Sequence, residues 1–275
     1  ISFNNMEDIV EYTLKKLDKH YATRTIRSQL ATVDFDRKIA EQICVSAKEI
    51  AEKRGYTYDE AVQDFINFSL EFLELQIELE KKGAYKFDNF KEAQKNVYDN
   101  PEVMGRRYLN GVMISQAFWL NHYKVLAYFL KNFCFPDKKH GSVLEVPVGT
   151  GIFLSKFISL NPGWNGIGYD ISKSSVEYAK EFMRINNKQP IEVVLQNVFD
   201  IPETRQYDRI MCGELVEHLE NPIGLLKKLK ALLKDDGKLF LTTAVWAANI
   251  DHIYLFKNMH EVRELLEPYF RIEQE

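Results

Sequence analysis

Cysteine is scarce in this chain: Cys44, Cys134 and Cys212 are odd in number, far apart and without a CxxC pair. That spacing excludes a disulfide framework and a cysteine zinc site, and points to thiols kept reduced in the cytoplasm. Long apolar runs are missing as well. None approaches the roughly 18 residues that read as a membrane span, and no signal-peptide pattern opens the chain, so no membrane partner is expected. An excess of one charge is also lacking. With 36 basic against 40 acidic residues the formal net charge is −4, leaving no broad basic field to hold nucleic acid. No internal repeat or low-complexity tract stands out.

What is present is an ordinary globular balance, with 45% hydrophobic and 28% charged residues. At roughly 150 residues per domain, 275 residues suggest about two domains or one large one. The chain opens on Ile1 instead of methionine, and is expected to be a piece of a longer protein. The aromatic content, 18 Phe and 14 Tyr, is the one unusual figure.

The chain reads as two halves. Residues 1–136 carry helical periodicity over about 5–19, 35–53, 57–83 and 111–133. In the third of these, Thr57 and Glu60 have capping-box spacing and Gly83 supplies a stop. Glu60, Asp64, Asn67, Glu71, Glu74 and Glu78 fall on one narrow face there, and apolar residues cover the rest. This half is expected to be an all-helical domain that walls the substrate and supports a homodimer. After the polar break at Phe135–Gly141, residues 137–275 alternate short apolar runs with amphipathic helices. The expected strands are Ser142–Val146, Asn165–Tyr169, Ile191–Leu195, Tyr207–Cys212 and Lys238–Thr243, with a last one from Phe270. Helices are expected at Gly151–Leu160, Ser172–Asn186, Pro222–Leu233 and Asn258–Glu267. The alternation implies an α/β fold, a Rossmann-like, doubly wound, mostly parallel sheet.

In such sheets ligands bind beyond the carboxyl ends of the strands. The first strand leads into Glu145-Val146-Pro147-Val148-Gly149-Thr150-Gly151, where two glycines let the backbone turn tightly beside a ligand. The following helix offers free N–H groups to an anionic group. Asp170 ends the second strand, 19 positions after Gly151. A carboxylate there suits a ribose diol, although Asp is also a common helix starter.

The stretch Glu145–Gly151 with Asp170 resembles the glycine motif and ribose acid of class I S-adenosylmethionine-dependent methyltransferases. Gln196–Pro202 resembles the loop that holds adenine in that family. Cys212–Pro222 resembles the segment after the fourth strand in the family's small-molecule branch, and Asp235–Leu239 the turn into the fifth strand. The resemblance covers about residues 140–275. It implies S-adenosylmethionine as methyl donor, held by Glu145, Gly149, Thr150, Gly151, Asp170, Ile171, Asn197, Val198 and Glu214. Pro147 stands where the family has its first glycine, and Asn197 where it often has Asp.

Methyl transfer needs a methyl held in line with a nucleophile, exclusion of water and, for an unionised acceptor, a base. His218 is the foremost candidate, because imidazole titrates near neutrality and its segment faces the cofactor. Glu217 reads as structural. In the helical half Ser115, Trp119, His122 and Leu126 share one helix face. Tyr108, Ser115 and Trp119 are candidate substrate contacts and His122 is a weaker candidate base, against the ordinary reading of a core stripe. Arg106 and Arg107 are candidates to reach an anionic group. His20, His140, His252 and His260 lack metal-ligand spacing, so no metal is expected. The expected activity is methyl transfer to O, N or C of a small molecule. The alternatives are RNA or protein methylation, or a non-catalytic binding module of the same fold.

Overall fold

The computed structural model describes residues 8–98, 100, 103–204 and 206–275. The helical half begins with α1 (Ile9–Leu17), capped by the Asp8 side chain, so residues 5–7 of the first expected helix lie outside the described residues. There follow α2 (Ile26–Leu30), α3 (Arg37–Lys53) and α4 (Tyr58–Lys82). In α4 the Thr57/Glu60 capping box forms in both directions and Gly83 closes the helix in the left-handed region, as the spacing predicts. A short α5 (Phe90–Ala93) runs into two π-helical segments, Gln94–Tyr98 and Val103–Tyr108.

The helix expected over 111–133 is two helices, α6 (Leu109–Phe118) and α7 (Leu120–Asn132), broken at Trp119 where ψ is 124°. Two cross-chain anchors hold the break. The Trp119 indole N–H donates to Ser69 Oγ, and the ring stacks on Phe68 with centroids 5.2 Å apart. Close approach of α6 to α4 depends on Gly111, where an added Cβ would lie 2.5 Å from Phe68 Cγ.

The second half is a five-stranded sheet of β1 (Gly141–Glu145), β2 (Trp164–Asp170), β3 (Glu192–Leu195), β4 (Tyr207–Gly213) and β5 (Leu233–Thr242), in the order β3-β2-β1-β4-β5. All its pairings are parallel. Between the strands run α8 (Ile152–Leu160), α9 (Lys173–Asn186) and α10 (Pro222–Leu232), and α11 (Met259–Leu266) follows β5. Two sequence expectations change. The Asp235–Gly237 turn lies inside β5, where the register against β4 jumps from Tyr207↔Leu233 to Arg209↔Lys238. No strand follows Phe270 among the described residues. The polar side chains there tie the segment down instead, through Lys238–Glu273, Arg263–Glu275 and Tyr128–Gln274.

One apolar cluster runs from Val10 and Leu14 of α1 through α3, α4, α6 and α7 into Val143, Leu154, Phe182 and Met211 of the sheet layer. Polar links join α3 to α9 as well: Arg54 pairs with Glu181 at 2.8 Å and Gln42 donates to Asn186 at 2.9 Å. The three cysteines are buried and free. No described helix is long and apolar enough to cross a membrane.

Candidate active site

The loops that end β1, β2 and β4 sit at the carboxyl edge of the sheet, where the helical half approaches. Gly149 has φ 49°, and a Cβ built on it meets nothing within 4 Å. The turn therefore borders open space and needs the conformational freedom of glycine. Its N–H donates to Asp170 Oδ2 at 2.9 Å, while Ser172 N–H donates to Oδ1 at 2.8 Å. One carboxylate thus fastens the glycine turn to the tip of β2, with the Ile171 N–H as a third backbone donor, and its four acceptor sites leave capacity for a ligand. Capping of α9 falls to Ser172, whose Oγ accepts from Ser175 N–H. Burial raises the Asp170 carboxyl to about 6, against the pull of those backbone N–H groups.

Glu145 is buried, and its carboxylate accepts the Leu154 N–H at 3.0 Å, joining the end of β1 to the first turn of α8. Thr150 and Val198 are buried, while Ile171 and Asn197 are exposed. The Asn197 side chain accepts from Phe199 N–H, so its oxygen already serves the short 3-10 turn Val198–Asp200. Exposed Leu195 and Phe199 border the same edge beside Ile171, an apolar group that the motif reading passed over. The open turn, the carboxylate and these apolar side chains fit a nucleoside of the donor's kind. When bound, the donor supplies an electrophilic methyl.

After β4 the chain turns sharply at Glu214, a non-glycine residue with φ 49°. Glu214 is exposed, yet the protein packed on its flanks and the charge of Glu217 push its carboxyl up to about 8. His218 is buried, with Nδ1 3.0 Å from the Asp251 carbonyl and 3.1 Å from the Tyr98 hydroxyl. Tyr98 and Tyr108 both donate to Asp251 Oδ2. Tyr98 comes from the first π-helical segment, and the charge of Asp170 also reaches it. The sequence reading missed Tyr98. A π-helical segment frequently marks a functional position, but no local pattern announces one.

The substrate candidates meet through the break at Trp119. In one straight helix Ser115 and His122 would be about 10 Å apart along the axis. Here Ser115 Oγ and His122 Nδ1 are 2.6 Å apart, and the His122 ring stands edge-on to Trp119 at 5.1 Å. Ser115 donates its own proton to the Val112 carbonyl, so Nδ1 of His122 carries a proton and Nε2 presents a lone pair. Burial lowers the His122 pKa, and the charge of Glu214 acts the other way. Phe68, Phe72 and Tyr108 continue the aromatic wall. Arg106 and Arg107 do not reach toward a ligand. They pair with Asp64 and Glu60 and with Glu71 on the acidic face of α4, which the Val103–Tyr108 segment covers.

Glu217, expected to be structural, accepts from Thr243 Oγ1 at 2.7 Å and from Ala244 N–H at 3.2 Å. His252 lies against it, with Nε2 3.9 Å from Glu217 Oε1. Burial first and His218 second take His252 down to about 3. Glu217, His218 and His252 each bring a potential metal-ligand atom within 4.8 Å of the others, a grouping the sequence reading did not anticipate.

Comparison with known proteins identifies the family. A family model described as a methyltransferase domain matches residues 118–273. Among curated proteins, the tRNA U34 carboxymethyltransferase of Campylobacter lari is 34% identical over 104 residues, covering 37% of this chain and 34% of that protein. The ubiquinone biosynthesis O-methyltransferase of Haemophilus ducreyi is 31% identical over 142 residues, 46% of this chain and 59% of that one. The chain thus spans about a third to just under two thirds of the length of these relatives. The structure of mitomycin 7-O-methyltransferase MmcR superposes with a TM-score of 0.56 at 13% identity, over 75% of this chain and 63% of that one. That likeness concerns the fold and takes in part of the helical half. The chain belongs to the methyltransferase-domain family, and its second half has the fold of class I S-adenosylmethionine-dependent methyltransferases.

Proposed function

We propose that the enzyme methylates an oxygen of a small-molecule acceptor, with the helical half forming the acceptor wall. The observation that carries this reading is the enclosed stripe of Trp119, His122 and Ser115, brought together by the helix break and facing Glu214 at the end of β4. An aromatic lining with a few placed polar groups suits a compact, partly apolar ligand. His122, with Nδ1 held by Ser115, presents Nε2 to take the acceptor hydroxyl proton as the new C–O bond forms. On the donor side we assign Gly149, Thr150, Gly151, Asp170 and Val198 to the nucleoside, and Glu145 to support of the turn. The H. ducreyi relative's name supports an O-linked small-molecule acceptor. Three buried free thiols suit a reducing compartment such as the cytoplasm.

The C. lari relative's name favours a second reading, an RNA acceptor; the net charge of −4 weighs against it. Labelled methyl donor offered with separate metabolite, RNA and protein pools distinguishes them. Label is expected in the metabolite fraction, and label confined to RNA would replace this reading with the second. With the acceptor in hand, His122→Ala should lower kcat by about 10²–10⁴-fold, the usual range for a lost general base, while leaving donor affinity within about twofold. An unchanged kcat would remove His122 from proton transfer.

A further inference from the structure

Three carboxylates, those of Glu214, Glu217 and Asp251, gather behind the end of β4, and among the described residues no lysine or arginine forms an ion pair with any of them. Asp251 is 1% exposed; its Oδ2 receives the hydroxyls of Tyr98 and Tyr108 and lies 3.5 Å from His218 Nδ1, while its Oδ1 has no partner among the described residues. Glu217 is fully buried and receives a hydroxyl and a backbone N–H. Carboxyls gathered without a lysine or arginine are costly to ionise, and the structure places two imidazoles, His218 and His252, beside them.

The imidazoles are oriented as ligands are. Nδ1 of His252 lies 2.9 Å from the Ala247 carbonyl, and Nδ1 of His218 lies 3.0 Å from the Asp251 carbonyl. A carbonyl only accepts, so each Nδ1 carries the proton and each Nε2 is left with a lone pair. Such outer hydrogen bonds fix the tautomer and direction of metal-binding histidines. The rings stand 4.9 Å apart at 80°, and His252 Nε2 points toward Glu217 Oε1. Ligand atoms on one metal are typically about 3–3.5 Å apart for bonds of about 2.1 Å. The three donors, now within 4.8 Å of one another, need a contraction on the order of an ångström.

We propose that Glu217, His218 and His252 form a binding site for a first-row divalent cation, with exposed Glu214 completing it from the solvent side. Two nitrogen donors and carboxylate oxygens select the zinc, manganese or cobalt class over calcium. The supporting hydrogen bonds from Thr243, Ala244, Ala247 and Asp251 all come from the loop after β5, so an ion would fasten that loop to the end of β4.

The test uses the whole chain, stripped with a chelator and titrated with cobalt(II) followed by its visible absorption, then with zinc by calorimetry. One equivalent per chain is expected, accompanied by a rise in Tm. His252→Asn and His218→Asn, checked for native circular dichroism, should each weaken binding at least a hundredfold, while the exposed-site control His260→Ala leaves it unchanged. Should either variant fail to fold, the spectrum of the wild-type cobalt form decides: imidazole ligation supports the site, and its absence overturns it. No stoichiometric binding at millimolar metal, or unchanged binding in the folded variants, also overturns it. None of these readouts involves methyl transfer, so the result stands apart from the acceptor assignment.

Discussion

Asp170 combines two roles on one carboxylate. It receives the N–H groups of Gly149 and Ser172, and its remaining lone pairs are the proposed acceptors for the donor's ribose. Burial raises its pKa to about 6 in the free protein. A diol donates to the ionised form, so donor binding releases a proton at pH values below the pKa. Donor affinity should be level above about pH 7 and fall toward tenfold per unit below 6. Calorimetric titration from pH 5 to 8 measures this. In Asp170→Asn the same dependence should vanish and affinity should drop at every pH. A wild-type affinity independent of pH would count against the ribose assignment.

At the scale of elements, α4 and α6 depend on a missing side chain. A Cβ at Gly111 would approach Phe68 Cγ to 2.5 Å, and Phe68 is itself fixed beneath Trp119. Gly111→Ala should therefore destabilise by about 1–3 kcal/mol, the range for overpacking, read as a lower midpoint in denaturant with an unchanged slope. An undiminished midpoint would show that the Phe68 ring yields freely. Elements also separate what local sequence carries from what it does not. The alternation of strands with helices and the glycine turn after β1 are local signals, and they point to a doubly wound sheet. The break at Trp119 is invisible to periodicity, because the positions around it keep a 3.6-residue pattern and the anchors, Ser69 and Phe68, lie elsewhere in the chain. His252 stands 34 positions beyond His218, so only the loop after β5 reveals that they meet. Arg106 and Arg107 looked free for a ligand because the acidic face that takes them belongs to another helix.

For the molecule as a whole, the division near residue 136 is one of grammar more than of packing. The apolar cluster passes from α1 to β4 without interruption, and Arg54–Glu181 with Gln42–Asn186 crosses the same boundary. Calorimetric unfolding should show a single transition with van't Hoff and calorimetric enthalpies in agreement, shifted upward by saturating donor. Two resolved transitions would establish independently stable halves.

The break at Trp119 has a bearing on how such an enzyme can diverge. Donor-side residues follow the strands, whereas the proposed acceptor wall hangs from α4, α6 and α7. Exchanging ring sizes at Phe68, Phe72 or Trp119 would reshape the space offered to an acceptor without altering Gly149 or Asp170. On the proposed assignment, substrate choice and donor use fall on separate stretches of chain, so lineages sharing the sheet would change clients by remodelling one bend.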